Sequence, residues 1–223
     1  MQFAPLYPLL YRVLAPAFPN CLWSGKPGDR AIALSFDDGP HPQHTPAVLE
    51  VLRQHQIQAS FFCLGIWVQQ YPEIAKAIVA DGHWIGLHGY THHNFARLSA
   101  QQLHHSLWDT QAAIAKACGL DPQLIRDVRP PNGLFTPRTL KLLQQWHYRP
   151  VMWSVVPEDW ERPGISRVTQ RVITQTQPGS LIVLHDGPHG GQDCAPTLAN
   201  LIPRLIAANY RFITVDELWQ TTG

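Results

Sequence analysis

The chain has no Cys-x-x-Cys spacing: its four cysteines, Cys21, Cys63, Cys118 and Cys194, lie far apart. That excludes a zinc knuckle and a dense disulfide scaffold and leaves the redox compartment open. Charge is balanced, with 17 Lys and Arg against 16 Asp and Glu. The electrostatic footprint of a nucleic-acid binder is therefore missing, and a neutral partner is expected. No Ser/Gly-rich linker, charge run, internal repeat or low-complexity tract divides the 223 residues, which suit one domain with a sizeable core. The apolar opening, Met1 to Phe18, contains Pro5, Pro8 and Pro16 and lacks a basic n-region and a small-residue cleavage site. It fits neither a cleavable signal peptide nor a spanning helix. Residues 1–28 therefore read as an apolar N-terminal arm, packed on the fold or touching a membrane surface, ahead of one domain over 29–223.

What the chain does have is an alternation of strand and helix patterns. Ala31-Ile32-Ala33-Leu34 reads as a buried strand, and Thr45-Pro46 opens a helix with Val48, Leu49, Val51 and Leu52 on one face. Further strands are expected over Ala59 to Leu64, Trp84 to Leu87, Asp127 to Arg129, Tyr148 to Trp153, Leu181 to Leu184 and Arg211 to Val215. Between them stand helices opened by Tyr71-Pro72, by the capping box of Ser99 and Gln102, and by Thr136-Pro137, with two more near Ser166 to Gln175 and Thr197 to Ala208. Seven such units predict a parallel sheet, either a barrel or doubly wound. Polar residues fall just past strands one (Asp37, Asp38), three (His88), four (Arg129), five (Asp159) and six (His185). A closed barrel gathers all of these ends at one mouth, where an open sheet would separate the outer ones. A distorted (β/α)7–8 barrel is expected, shortened because ~250 residues is usual for the eight-stranded form.

The chemistry starts at Ser35-Phe36-Asp37-Asp38-Gly39-Pro40, where two adjacent carboxylates arrive as a core strand breaks. On an extended backbone they point to opposite faces, so one suits a metal and the other a proton. His88 and His92 stand four apart, on one face if the segment turns helically, and two imidazoles with a carboxylate suit zinc with positions left open. His185, after four apolar residues, is either a general acid or a core-edge histidine bonded to backbone. Arg129 either pairs a surface charge or holds a carboxylate at the mouth. Trp160 lines a pocket for a sugar ring or an acyl methyl, or caps a turn with Asp159.

With Arg129-Pro130-Pro131-Asn132-Gly133, Asp159-Trp160 and Val183-Leu184-His185-Asp186 in order behind the Asp-Asp and His-x-x-x-His motifs, the chain resembles the polysaccharide deacetylases of the NodB-homology type, carbohydrate esterase family four, over nearly all of 32–218. The resemblance implies a NodB-type barrel and a metal-dependent hydrolase that removes N-acetyl groups from N-acetylglucosamine polymers, peptidoglycan or chitin-like. It implies Asp37 as catalytic base, Arg129 orienting it, and His185 as acid. It also implies Asp38, His88 and His92 as ligands of one divalent ion, zinc with cobalt or nickel as alternatives. Pro131, Asn132 (through its backbone N–H), Asp159, Trp160 and Val183 are implied around the substrate. An extracytoplasmic or envelope-associated place of action follows by the same resemblance, and a monomer is expected. An O-acetyl esterase of the xylan type and a binding protein without turnover are the alternatives. Val156 stands where the family carries an Asp that supports the acid. His185 is therefore expected to titrate lower unless Glu158 or Asp186 substitutes, and activity to fall off at lower pH. Leu87 and Gly89 depart from the usual neighbours of His88, so weaker metal binding is expected.

Overall fold

The computed structural model describes residues 6–28 and 30–222. Seven strands, β1 (Ala31–Asp37), β2 (Ser60–Cys63), β3 (Trp84–Leu87), β4 (Asp127–Val128), β5 (Arg149–Pro150), β6 (Leu181–His185) and β7 (Arg211–Phe212), form one curled parallel sheet. Their order is β5-β4-β3-β2-β1-β6, with β7 beside the first two residues of β1. The remaining gap between β5 and β6 is spanned by isolated bridges: Leu22 runs parallel to Val151, Ser24 antiparallel to Ser180, and Val155 parallel to Ile182. The result is a distorted (β/α) barrel. Residues 22–24, expected within the arm, are part of its wall.

Strand periodicity explains what faces the lumen. Ile32, Leu34 and Phe36 of β1, Phe61 and Cys63 of β2, Ile85 and Leu87 of β3, and Ile182 and Leu184 of β6 turn outward into the cluster shared with the helices. The alternate positions point inward, so Asp37, His88, Arg129 and His185 share one parity and meet at the C-terminal end of the lumen. The outer layer comprises α2 (His44–Gln54), α3 (Gly65–Gln70), α4 (Pro72–Ala80), α5 (Ala100–Cys118), α6 (Pro137–Gln145), α7 (Ile165–Gln175) and α8 (Gly191–Ala207). At the opposite end α9 (Val215–Gln220) plugs the lumen with Val215 and Leu218. Its start is fixed by a capping box between Thr214 and Glu217, which is why the strand expected through Val215 ends at Phe212. The helix expected from Thr197 begins at Gly191, because burial of Gly191 and Cys194 holds a turn that tolerates Pro196.

The first helix, α1 (Tyr7–Ala17), lies on the barrel rather than apart from it. Tyr7, Tyr11, Leu14, Ala15 and Phe18 pack on a cluster of Cys21, Trp23, Met152, Trp153, Val156 and Val183. Leu6, Leu9, Leu10 and Val13 are exposed on its other side. Among the described residues no helix is long and apolar enough to cross a membrane.

Candidate active site

Asp37 closes β1 and pairs in register with His185 of β6 and Phe62 of β2. Beneath it Arg129 is fully buried, which removes the surface ion-pair reading. Arg129 Nη1 donates to Asp37 Oδ1 at 2.6 Å and to Ser35 Oγ at 2.9 Å, Nη2 donates to the Met152 carbonyl at 2.8 Å, and the guanidinium lies 4.1 Å over the Phe62 ring. A charge-assisted bond of this kind is short and strong and fixes a carboxylate in direction. Asp37 is thereby aimed up the lumen with Oδ2 free of the arginine.

Asp38 turns away through a left-handed backbone (φ 74) and His92 through another (φ 59). Strained residues of this kind persist where surrounding structure holds them, commonly at functional sites. Gly187 is part of what holds Asp38, since a Cβ there would collide with Asp38 Cβ. His88 Nδ1 lies 2.8 Å from the Arg129 carbonyl. A carbonyl can only accept, so Nδ1 carries a proton and Nε2 is the nitrogen turned towards Asp38. That Nε2 lies 3.4 Å from Asp38 Oδ1, and His92 Nε2 lies 3.2 Å from the same oxygen. The two histidines meet across an irregular turn after β3, not on the helical face their spacing suggested.

Asp38 Oδ1 is buried without a hydrogen-bond partner, and one atom from each of Asp38, His88 and His92 lies within 4.8 Å of the others. An orphaned carboxylate oxygen facing two imidazole nitrogens is the donor set of a divalent ion with open positions. Burial alone would raise the Asp38 carboxyl. The nearby imidazoles, His88 first, then His185 and His92, outweigh burial and hold it well below the usual carboxylate range. Burial lowers His92, leaving it in the neutral form a metal requires. The bond to Arg129 O supplies His88 with an orienting partner from backbone, which the departures at Leu87 and Gly89 do not touch.

Across the mouth, His185 Nδ1 donates to Asp159 Oδ1 at 2.8 Å and its backbone N–H donates to Asp159 Oδ2 at 2.7 Å. Burial would lower this imidazole. The charge and hydrogen bond of Asp159, with Asp38 and Asp37, outweigh it and raise it to about 10. Here the structure corrects the sequence. The carboxylate thought lost at Val156 is Asp159, three residues on, so the lower titration of His185 does not follow. Asp159, expected around the substrate, is buried against the histidine and is not among the residues that line the cavity. Asp186, the other stand-in considered, instead accepts from Thr45 Oγ1 at 2.5 Å. Burial first, then Asp38 and Asp37, push its carboxyl up to about 7.

These groups share a cavity of about 320 Å3, near the lower end of the roughly 300–1,000 Å3 of small-molecule sites. Asp37, Asp38, His88, His92 and His185 line it with Asn132, Trp160 and Val183; Pro131 is buried behind the rim. Asn132 adopts a left-handed backbone (φ 59) in a single tight turn, Pro131–Gly133. Trp160 stands edge-on to His185 with centroids 5.1 Å apart. Sequence reasoning missed Tyr7, Gly133, Trp153 and His189, which also line the cavity. For Trp153 the signal was its place at the end of the fifth strand; for Tyr7 there was none, since it reaches the site by tertiary packing alone.

The family model described as polysaccharide deacetylase matches residues 24–151. A chitooligosaccharide deacetylase of Bradyrhizobium sp. (strain ANU 289) is 38% identical over 203 residues, covering 86% of this chain and 91% of the relative. A peptidoglycan-N-acetylglucosamine deacetylase of Bacillus cereus is 34% identical over 198 residues, covering 88% and 91%. Among solved structures, a peptidoglycan N-acetylglucosamine deacetylase superposes with a TM-score of 0.86 at 31% identity, covering 91% of this chain and 94% of that one.

Proposed function

From the premise that the chain belongs to the polysaccharide deacetylase family, we propose that it is a metal-dependent hydrolase removing N-acetyl groups from an N-acetylglucosamine polymer or oligomer, with release of acetate. The observation that carries this reading is the buried, unpartnered Asp38 Oδ1 facing His88 and His92, flanked by Asp37 on Arg129 and by His185 on Asp159. When bound by Asp38, His88 and His92, a divalent ion, zinc in this reading, supplies Lewis-acid polarisation of the acetamide carbonyl and a water acidified towards a pKa of ~7.

Asp37, directed by Arg129, takes the proton of the attacking water. The Asn132 turn presents backbone N–H to the developing oxyanion. His185, protonated through neutral pH, gives its proton to the departing amine nitrogen, which without it is too poor a leaving group. Trp160 and Val183 enclose the acetyl methyl. The Asp159–His185 pair favours the amide over an O-acetyl ester, because an alcohol leaves with less help from an acid; the ground for the ester reading, an unsupported His185, has gone. Peptidoglycan-directed relatives support an envelope polymer as substrate and an extracytoplasmic place of action. The exposed row Leu6, Leu9, Leu10 and Val13 supports contact of the arm with a membrane surface.

The test is acetate release from N-acetylglucosamine oligomers by metal-stripped protein reloaded separately with Zn, Co or Ni. Release that requires metal and falls about 10²–10⁴-fold in Asp37→Asn, the range of a lost general base, is expected. Metal binding without release from any N-acetylated substrate would reject the reading.

A further inference from the structure

Tyr7 lies outside the residues 24–151 that the family model spans, yet its ring forms part of the wall of the catalytic cavity. It stands edge-on to Trp153 with centroids 5.5 Å apart and edge-on to Trp160 at 6.4 Å. Trp160 in turn meets His185. The aromatic chain Trp153–Tyr7–Trp160 therefore borders the same space as the acid and the metal-ligand trio.

The placement of this ring is well supported. Tyr11 Oη and Ser24 Oγ are hydrogen-bonded at 2.9 Å, which ties α1 to the segment bridging to β6. Leu14 and Phe18 continue the packing of Tyr7 on one side of the helix, and Phe18 meets Phe135 at 5.0 Å beside the Asn132 turn. Burial, then the nearby charges of Glu158 and Glu161, raise the Tyr7 hydroxyl, so it keeps its proton and stays a neutral donor.

A pyranose ring offers C–H faces bordered by hydroxyls. Aromatic rings with a polar handle suit such a surface, one end apolar and the other able to hydrogen-bond. A cavity of this volume that holds both Tyr7 and the catalytic groups has room for about one sugar, the one being deacetylated.

We infer that Tyr7 is a substrate-binding residue, packing with Trp153 and Trp160 against the sugar whose acetamide is cleaved, and that α1 is thereby a wall of the active site. This rests on the deacetylase reading.

The test is calorimetric binding of tetra-N-acetylchitotetraose to full-length, zinc-loaded protein in an Asp37→Asn background, where turnover does not consume the sugar. Removing an aromatic contact of ~1.4 kcal/mol corresponds to tenfold in affinity. Tyr7→Ala is expected to weaken binding about tenfold, and Tyr7→Leu, which keeps bulk against Trp153, nearly as much. Tyr7→Phe should lose no more than about threefold, and Leu9→Gln, on the exposed side of α1, nothing. Equal affinity in all variants, or the same loss in Leu9→Gln, overturns the inference, as does a parent protein that binds no oligomer. Acetate release by the wild-type chain is scored separately, so it decides whether the deacetylase reading falls too.

Discussion

At the residue scale, Asp37 and His185, the base and acid of the proposed reaction, have buried partners of opposite charge, Arg129 and Asp159. Asp37 accepts a hydrogen bond from a buried cation, and His185 is kept protonated by a buried anion. Because His185 is raised to about 10, it remains an acid throughout the range where Asp37 is a base. Replacing Asp159 by Asn removes the charge that outweighs burial, and burial then drives the imidazole downward. The alkaline limb of the kcat–pH profile is expected to move into the neutral range, with kcat at pH 8 falling ~10²–10⁴-fold, while KM for the oligomer changes little. An unshifted limb in Asp159→Asn would show that Asp159 does not tune the acid. The same pair has a stability signature in the metal-stripped protein. A raised histidine contributes fully below its unfolded value of 6.5 and loses that contribution as pH rises towards 10. The stability gap between wild type and Asp159→Asn is therefore expected to narrow over that window in urea titrations.

At the element scale, β4 carries function and structure on consecutive inward positions. Arg129 follows it into the site, while Asp127 anchors the other end of the lumen. Asp127 accepts from Trp84 Nε1 at 2.7 Å, from Arg149 Nε and Nη2 at 2.8 Å each, and from Trp219 Nε1 at 3.0 Å. This joins β3, β5 and α9 to β4. Asp127→Ala would leave Arg149 with Asp216 alone, at 2.8 Å, and two indoles without an acceptor, at a cost of roughly 1–3 kcal/mol in unfolding free energy. Acetate release per folded molecule is expected to persist, because the carboxylate is remote from the cavity; a loss under 1 kcal/mol by urea midpoint would discount the anchor. The strand cores and the start of α5 at the Ser99–Gln102 box were legible, because period-2 burial and caps are local signals. The short α3 and α9, and the loop that brings His92 back to His88, were not. Six residues hold too little of the helical period to register, and the loop depends on a left-handed His92 that only its packing fixes.

At the scale of the whole molecule, the barrel is completed by residues that look peripheral in sequence. Leu22 and Ser24 enter the wall as single bridges, too brief to leave an alternating pattern, and α1 then covers the cluster behind the cavity. The polar cluster that lines the cavity was legible because chemistry-bearing side chains followed apolar strands in series; the aromatic wall was not, because Tyr7 and Trp153 are brought together only by this closure. The metal trio bears on global stability for a related reason. Asp38 follows β1 whereas His88 and His92 follow β3, so an ion bound by all three links two strands separated by β2. It also relieves Asp38 Oδ1, which is buried without a partner. Binding confined to the folded state adds ≈2.7 kcal/mol at a free ion concentration 100 times Kd. At about 2–4 °C per kcal/mol for a chain of this size, zinc at that concentration is expected to raise Tm by roughly 5–10 °C over metal-stripped protein. In Asp38→Asn or His92→Ala most of that rise should vanish, whereas Asp37→Asn should retain it, since Asp37 is turned to Arg129. A rise that survives loss of His92 would place the ion on other residues.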